Sequence, residues 1–355
     1  MEDIISFIVT VYNTRVEWIE RVVNSIVNQT NSNWEIIIVD DGSRDDVAQF
    51  CDKFAANNSK IRIHHQENLG VCVARNYGTD HASGRWITYI DADDWIEKTY
   101  VEQVNDILNK HDNLDLLAIG HDDIWGEKTV PHLWGNDDYH EFDNSEKEGM
   151  QLALFQIPGG LSKYPMFFGA QWKFIYSLDF LNRYKIRNTP GIKNAEDSIF
   201  NLYAVEYANK IGYYNKALYH YFHNSESVTA TGIMRDLSRL QNLIKAYSEF
   251  IEKTGKNNNP LFENAYKQRA LIEAESMFSC YFENRNNTDS RKTRKKIYFD
   301  VLNSEPYYSL FREYSMDGLN VYKKLLWMSF KARIYSLTCA IYRFKIILKM
   351  KKEYQ

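Results

Sequence analysis

Over the first hundred residues, short β-rich runs alternate with stretches whose apolar residues recur at helical spacing, and few architectures accept that pattern. The runs "IISFIVTVY" (4 to 12), "WEIIIVD" (34 to 40), "KIRIHH" (60 to 65) and "RWITYID" (85 to 91) read as strands. Between them the spacing predicts helices over about 16 to 29, 45 to 57 and 71 to 82. Such alternation builds βαβ units around a mostly parallel, Rossmann-like sheet with helices on both faces. An open α/β sheet binds its ligands beyond the carboxyl ends of its strands. The polar residues that follow the strands, Tyr12-Asn13, Asp40-Asp41-Gly42-Ser43 and Asp91-Ala92-Asp93-Asp94, all fall there.

"WITYIDADDW", Trp86 to Trp95, places three carboxylates in four positions behind an apolar strand. Asp91 and Asp93 can both turn toward one point past the strand end, and hard oxygen ligands at that density suit Mg²⁺ or Mn²⁺. The competing reading is a solvated strand end, with Asp94 capping a helix that starts near Ile96. "IIIVDDGSRDD" ends a second strand in Asp40 and Asp41, where an Asp can accept from an imide N–H or a ribose hydroxyl; an Asx-capped turn competes with that reading. In "ENLGVCVARNYGTDHASG" a turn at Asn68-Leu69-Gly70 precedes a helix whose first turns carry Arg75, a residue suited to a phosphate or a base edge but as readily a partner in a surface ion pair.

Together the segments "SFIVTVYNT", "SIVNQT", "WEIIIVDDGSRD", "NLG", "ARN" and "WITYIDADDW" resemble the family-2 inverting glycosyltransferases of GT-A fold, nearly end to end over residues 1 to 110. The resemblance implies a nucleotide-sugar donor, usually UDP-linked. It implies Thr10 and Tyr12 beside the base, Asp41 accepting from the uracil imide, and Asn68 and Arg75 also on the nucleotide. Asp91 would lie near the ribose and the metal, with Asp93 as principal metal ligand. Farther along, "NAEDSIFN" looks like the family's acidic pair at a helix start, which makes Asp197 the catalytic base and Glu196 its neighbour. An inverting transfer needs one such carboxylate to take the acceptor hydroxyl's proton, although first-turn acids also suit a helix dipole. "LYHYFHNSESVTA" resembles a segment near the diphosphate but carries Phe222 where the family commonly has Arg. His220, His223, Ser227 and Thr229 are the substitutes at hand, and His223 is a candidate third metal ligand. In "FFGAQWKFIY", Gln171, Trp172 and Lys173 are acceptor-side candidates, Trp172 for its flat apolar face; core packing is the alternative.

The remaining sequence bounds the reading. A net charge of -4, from 43 Lys and Arg against 47 Asp and Glu, gives no footprint for nucleic acid. Four scattered cysteines predict reduced thiols and a cytoplasmic setting, and neither an export signal nor a membrane-spanning run is expected. From about residue 232 the pattern turns helical. The segment after Val321 sets nine cations against the single acid Glu353, with apolar residues between them at helical spacing. Such a tail suits an anionic membrane surface, or packing on protein, including a second copy of the chain. The sequence therefore predicts a GT-A domain over 1–230 and a helical region over 231–355. The expected function is metal-assisted transfer of a hexose or N-acetylhexosamine from a UDP-sugar to a growing cell-surface glycan or lipid-linked acceptor, at the inner face of the membrane. A non-catalytic scaffold that activates a partner glycosyltransferase is the alternative. A nucleotidyltransferase is disfavoured because "TVYNT" has no Gly-rich phosphate loop.

Overall fold

Strands buried on both faces read as unbroken apolar runs, and β2 (Trp34–Asp40) is buried at every residue. In this computed structural model, which describes residues 3–155, 169–192, 195–224 and 237–353 and side chains as far as 347, β1 (Ile5–Val11) runs parallel to β2 on one side and β4 (Trp86–Asp91) on the other. β3 (Ile61–His65) extends the parallel array beyond β2. The helices α1 (Val16–Val27), α2 (Asp45–Asn57) and α3 (Val71–Asp80) make the crossovers. α3 comes close to the sheet because Gly78 has no side chain: a Cβ there would lie 2.4 Å from Ile8 Cγ2.

After β4 the chain departs from the sequence expectation. No helix begins at Ile96; a short β5 (Trp95–Ile96) comes first, and α4 (Tyr100–Lys110) starts later. β6 (Leu116–Trp125), β7 (Lys128–His132), β8 (Tyr139–Phe142), α5 (Asn144–Leu154), β9 (Phe174–Ser177), α6 (Leu178–Arg183), α7 (Glu196–Tyr207) and β10 (Ile211–Phe222) complete the first unit. The sheet order is β3-β2-β1-β4-β9-β6-β10-β5, with β7 added on β6 and β8 on β10. β6 and β10 are parallel, while β9 lies antiparallel between β4 and β6.

A buried carboxylate ties the amino-terminal edge together. Glu35 accepts from Ser6 Oγ at 2.6 Å, Ser83 N at 2.7 Å, Ser83 Oγ at 2.8 Å and Arg62 Nη2 at 2.7 Å. Burial disfavours its charge, but these donors outweigh that and hold the carboxyl below the usual range. β1, β2 and the turn before β4 are thereby joined at one point.

The chain divides into two compact units, residues 1–154 with 162–227 and residues 155–161 with 228–355. The second comprises α8 (Ser238–Lys253), α9 (Pro260–Met277), α10 (Arg291–Leu302), α11 (Tyr307–Glu313), α12 (Val321–Lys331) and α13 (Tyr335–Glu353). Side-chain caps start three of them: Asn259 accepts from Leu261 N, Ser290 from Thr293 N and Asn320 from Lys323 N. Its core is aromatic, with Phe278, Tyr298, Phe311, Trp327 and Phe330 buried. The basic tail is partly absorbed here: Arg343 pairs with Glu283 and Lys345 with Glu275. Leu325, Met328, Ile334, Leu337, Phe344 and Ile347 remain exposed. Among the described residues no helix is long and apolar enough to cross a membrane.

Candidate active site

The ends of β1 and β2 are locked to each other by their turns. Asn13, at φ 51°, accepts from Arg44 N through Oδ1 at 2.9 Å, and its own N–H donates to Ser43 Oγ at 2.9 Å. Tyr12 is thereby left 53% exposed at the rim, its ring open to a ligand, while Thr10 is half-buried beside it. Gly42, at φ 78°, brings this turn within reach of Asn68: a Cβ would lie 2.7 Å from Asn68 N.

Asp41 is buried, and it organises the next turn. Oδ1 accepts from Gln66 Nε2 at 2.7 Å and Leu69 N at 2.9 Å, and Oδ2 from Gly70 N at 2.9 Å. A carboxylate has about four acceptor sites, and the three bonds shown leave one on Oδ2. Asn68 is exposed in that same turn. Asp40 serves structure: Oδ1 accepts from Ser43 N at 2.9 Å, and Oδ2 lies 2.7 Å from His65 Nδ1.

The centre of the site is Arg75, buried on the first turns of α3. Its Nη2 donates to Asp91 Oδ1 at 3.0 Å, while its Nη1 donates to Asp197 Oδ1 and to Gln171 Oε1 at 2.9 Å and lies 3.7 Å from Glu196 Oε1. The resemblance implies a nucleotide contact for this guanidinium, with an ion pair as the other reading; in the structure it joins the carboxylate at the end of β4 to the acidic pair at the start of α7. Burial works against its charge, yet Asp197, Asp91 and Glu196 outweigh that and raise its pKa above the ordinary value. Burial pushes Asp91 up to about 6, assisted by Asp197 and Asp93 and opposed by Arg75. Burial and the neighbouring Asp197 push Glu196 up to about 7.

Asp93 and Asp94 take different roles. Asp94 is fully buried; Oδ2 accepts from Tyr219 OH at 2.5 Å and Oδ1 from Phe222 N at 2.7 Å, so it caps no helix and pins β10 to the end of β4. Asp93 Oδ2 accepts from Asn224 Nδ2 at 2.7 Å, and its carbonyl accepts from Arg21 Nη2. Arg21 lies over the rings of Trp95 at 4.2 Å and Phe222 at 4.6 Å. Burial raises the carboxyls of both Asp93 and Asp94, and repulsion from Asp91 and Asp93 adds to it at Asp94. Arg75 engages Oδ1 of Asp91 and Asn224 engages Oδ2 of Asp93, which leaves each acid an oxygen to offer. A hard divalent cation fits this all-oxygen pair of desolvated carboxylates.

Three expectations change. Gln171, Trp172 and Lys173 are buried rather than facing an acceptor. Gln171 is engaged by Arg75 and Trp172 stacks on Tyr219 at 4.2 Å, so its flat face is already covered; Lys173 Nζ lies 3.4 Å from His121 Nε2. His223 does not turn to the metal pair: its Nε2 lies 3.3 Å from Asp123 Oδ1 and its ring stacks on Trp125 at 3.5 Å, while the next residue, Asn224, reaches Asp93. His220 is held by Glu97 at 3.0 Å. Ser227 and Thr229 lie outside the described residues.

Residues 6–168 match the sequence model of glycosyl transferase family 2. Over that stretch the chain is similar to the family 2 glycosyltransferases. It is 31% identical over 222 residues to the putative glycosyltransferase EpsH of Bacillus subtilis, covering 61% of this chain and 60% of that protein. To glycosyltransferase GlyA of Streptococcus pneumoniae serotype 4 it is 29% identical over 286 residues, covering 77% and 38%. The chain thus spans less than two thirds of the length of these curated relatives. The crystal structure of S. aureus TarS 1-349 in complex with UDP-GlcNAc superposes with a TM-score of 0.65 at 19% identity, covering 96% of this chain and 90% of that one. The fold is therefore GT-A, an α/β sheet followed by a helical carboxyl-terminal region.

Within the first unit, Arg21, Gln171 and Asn224 are polar side chains of the site that sequence reasoning left out or misplaced. Arg21 falls at a helical position that also fits a solvated face, and Asn224 follows an aromatic strand with nothing local to mark it. Only the pairing of β10 with β5 and β6 brings Asn224 to Asp93.

Proposed function

We propose that this protein is an inverting glycosyltransferase that moves a hexose or N-acetylhexosamine from a UDP-sugar to a growing cell-surface glycan or lipid-linked acceptor. The reading rests on one observation: Arg75 gathers Asp91, at the strand end where donors bind in this architecture, and Asp197, at the start of α7. The carboxylates read as donor-side and acceptor-side thus share one guanidinium. The crystallised TarS complex with UDP-GlcNAc, of the same fold, supports a UDP-linked donor.

Tyr12 would cover the base, Asp41 would accept its imide N–H through the remaining Oδ2 position, and Thr10 and Asn68 would flank it. Asp91 and Asp93 would hold Mn²⁺ or Mg²⁺, which when bound neutralises charge developing on the departing diphosphate. Asp197 Oδ2, steadied by Gln171 N at 3.2 Å, would take the acceptor hydroxyl's proton as the anomeric carbon is attacked. A specific observation favours a second assignment of that base. Glu196 stands farther from Arg75, at 3.7 Å, and its carboxyl is pushed up to about 7, where a general base works well.

Metal-dependent hydrolysis of a panel of UDP-sugars, followed by transfer assays, tests the proposal. Asp93→Ala should abolish turnover and metal-dependent UDP binding, and full retained activity would remove the metal assignment. Asp197→Asn should keep UDP binding and lose at least about 100-fold in turnover. If Glu196→Gln shows that loss instead, the base is Glu196. Absence of any hydrolysis or transfer by the wild type with every donor would favour a scaffold role.

The exposed apolar residues of α12 and α13, beside Arg291, Lys292, Lys295 and Arg333 around a cavity of about 470 Å³, support attachment to an anionic membrane surface. Self-association through the same helices is the competing use of that face.

A further inference from the structure

We propose that the sheet face shared by β7, β6 and the end of β10 holds a second divalent-cation site, of zinc type, formed by His121, Asp123, His132 and His223. Register brings these residues together. His121 and His132 stand opposite each other in the antiparallel β6–β7 pair, and Asp123, two residues along β6, points to the same face. His223 follows β10, in which Tyr221 pairs with Asp123, and its backbone N–H donates to Ile124 O at 3.0 Å.

The spacing is that of a coordination shell. The ligand atoms of His121, Asp123 and His132 all lie within 4.8 Å of one another. Asp123 Oδ1 is 3.5 Å from His121 Nε2 and 3.3 Å from His223 Nε2, and Oδ2 is 2.9 Å from His132 Nε2. A tetrahedral ion with bonds of about 2.0–2.1 Å sets its ligand atoms about 3.3–3.4 Å apart, so His121, Asp123 and His132 are close to assembled, and His223 stands at the same carboxylate as the fourth member. Three imidazoles around one carboxylate make a poor ion-pair cluster, because a single negative charge cannot offset three positive ones. As neutral donors aimed at one point they make a good ligand set. Nitrogen donors also separate this site from the all-oxygen pair Asp91 and Asp93: imidazole suits Zn²⁺, and carboxylate with water suits Mg²⁺ or Mn²⁺.

Stacking engages all three imidazole rings, His223 on Trp125 at 3.5 Å and His121 on His132 at 4.7 Å. Lys173 Nζ, 3.4 Å from His121 Nε2 and 4.6 Å from the centre of the Trp172 ring, competes with a cation for that nitrogen. The side chain of His132 is 38% exposed, which gives an ion a path from solvent. An ion bound here would fasten the β6–β7 hairpin to the end of β10.

The test is titration of the chelator-stripped full chain with Zn²⁺ alone, in competition with a chromophoric chelator, and with Co²⁺ as a spectroscopic stand-in. The wild type and Asp93→Ala should each take up one equivalent of Zn²⁺, and Co²⁺ should give the intense visible absorption of four-coordinate geometry. His132→Ala and, independently, Asp123→Asn should weaken Zn²⁺ at least tenfold with an unchanged circular dichroism spectrum. Lys173→Met should tighten it by removing the competing ammonium. Failure of the wild type to bind Zn²⁺, binding lost in Asp93→Ala but kept in His132→Ala, or weak six-coordinate Co²⁺ absorption would each overturn the proposal.

Discussion

Arg75 shows how one side chain can set the electrostatics of a site. Its guanidinium is the counter-ion for Asp91, Asp197 and Glu196 at once, and removing one partner of a buried ionic group leaves uncompensated charge that costs about 3–5 kcal/mol. Arg75→Met should therefore lower the unfolding free energy from urea titration at pH 7.5 by an amount in that range, with part of the loss recovered near pH 5, where Asp91 and Glu196 protonate. Glu196 gives the complementary result. Its folded pKa is raised to about 7 from an ordinary value near 4.5, so the folded state binds more protons than the unfolded chain and stability falls as pH rises across that window. Glu196→Gln removes the ionisation penalty. It should stabilise the protein by about 1–3 kcal/mol at pH 8 and by nearly nothing at pH 4.5, measured by chemical denaturation. The acids of this cluster were legible in the sequence, because charge at a strand end and at a helix start stands out against apolar neighbours. The partner of Arg75 was not, because Asp197 and Gln171 lie 122 and 96 residues away in sequence.

At the scale of elements, Asp94 decides how β10 meets the carboxyl end of β4. Both of its oxygens are used, one by Tyr219 OH and one by Phe222 N, and burial raises its carboxyl well above the ordinary range. Asp94→Ala would leave a strand N–H and a phenol unsatisfied in the interior, a loss of about 2–4 kcal/mol. Asp94→Asn retains an acceptor for Phe222 N and a polar group beside Tyr219. It should therefore cost less than about 1 kcal/mol, and equal destabilisation by the two substitutions in thermal and urea unfolding would show that the hydrogen bonds are not what holds β10. The first four strands were readable because burial on both faces writes itself as continuous apolar sequence. The capping role expected of Asp94 failed for the converse reason: a helix cap is a local pattern, whereas its real partners come from a strand more than 120 residues later. Trp172 misled in a similar way. An exposed stacking platform and a buried one have the same sequence, and only Tyr219 at 4.2 Å distinguishes them.

For the whole molecule, the question is what the carboxyl-terminal unit meets. Its own acids Glu283 and Glu275 pair with Arg343 and Lys345, which offsets part of the positive charge that the sequence of the tail implies. Arg291, Lys292, Lys295 and Arg333 line one cavity together with Ile334, and Leu325, Met328, Leu337, Phe344 and Ile347 continue as exposed apolar side chains on α12 and α13. Cations beside apolar residues can enter the headgroup region, each basic residue near the surface contributing about 1 kcal/mol. Binding of the full chain to vesicles of anionic lipid should therefore be strong at low salt, weaken several-fold as ionic strength rises and the Debye length falls toward about 8 Å, and vanish on neutral vesicles. Lys292→Glu with Lys295→Glu should weaken binding by electrostatics alone. Leu337→Ser with Phe344→Ser should weaken it with little change in its salt dependence. Sedimentation of the wild type without lipid separates this from the alternative, since a face that served a second copy of the chain would give a dimer that the apolar substitutions dissolve, with no preference for anionic vesicles.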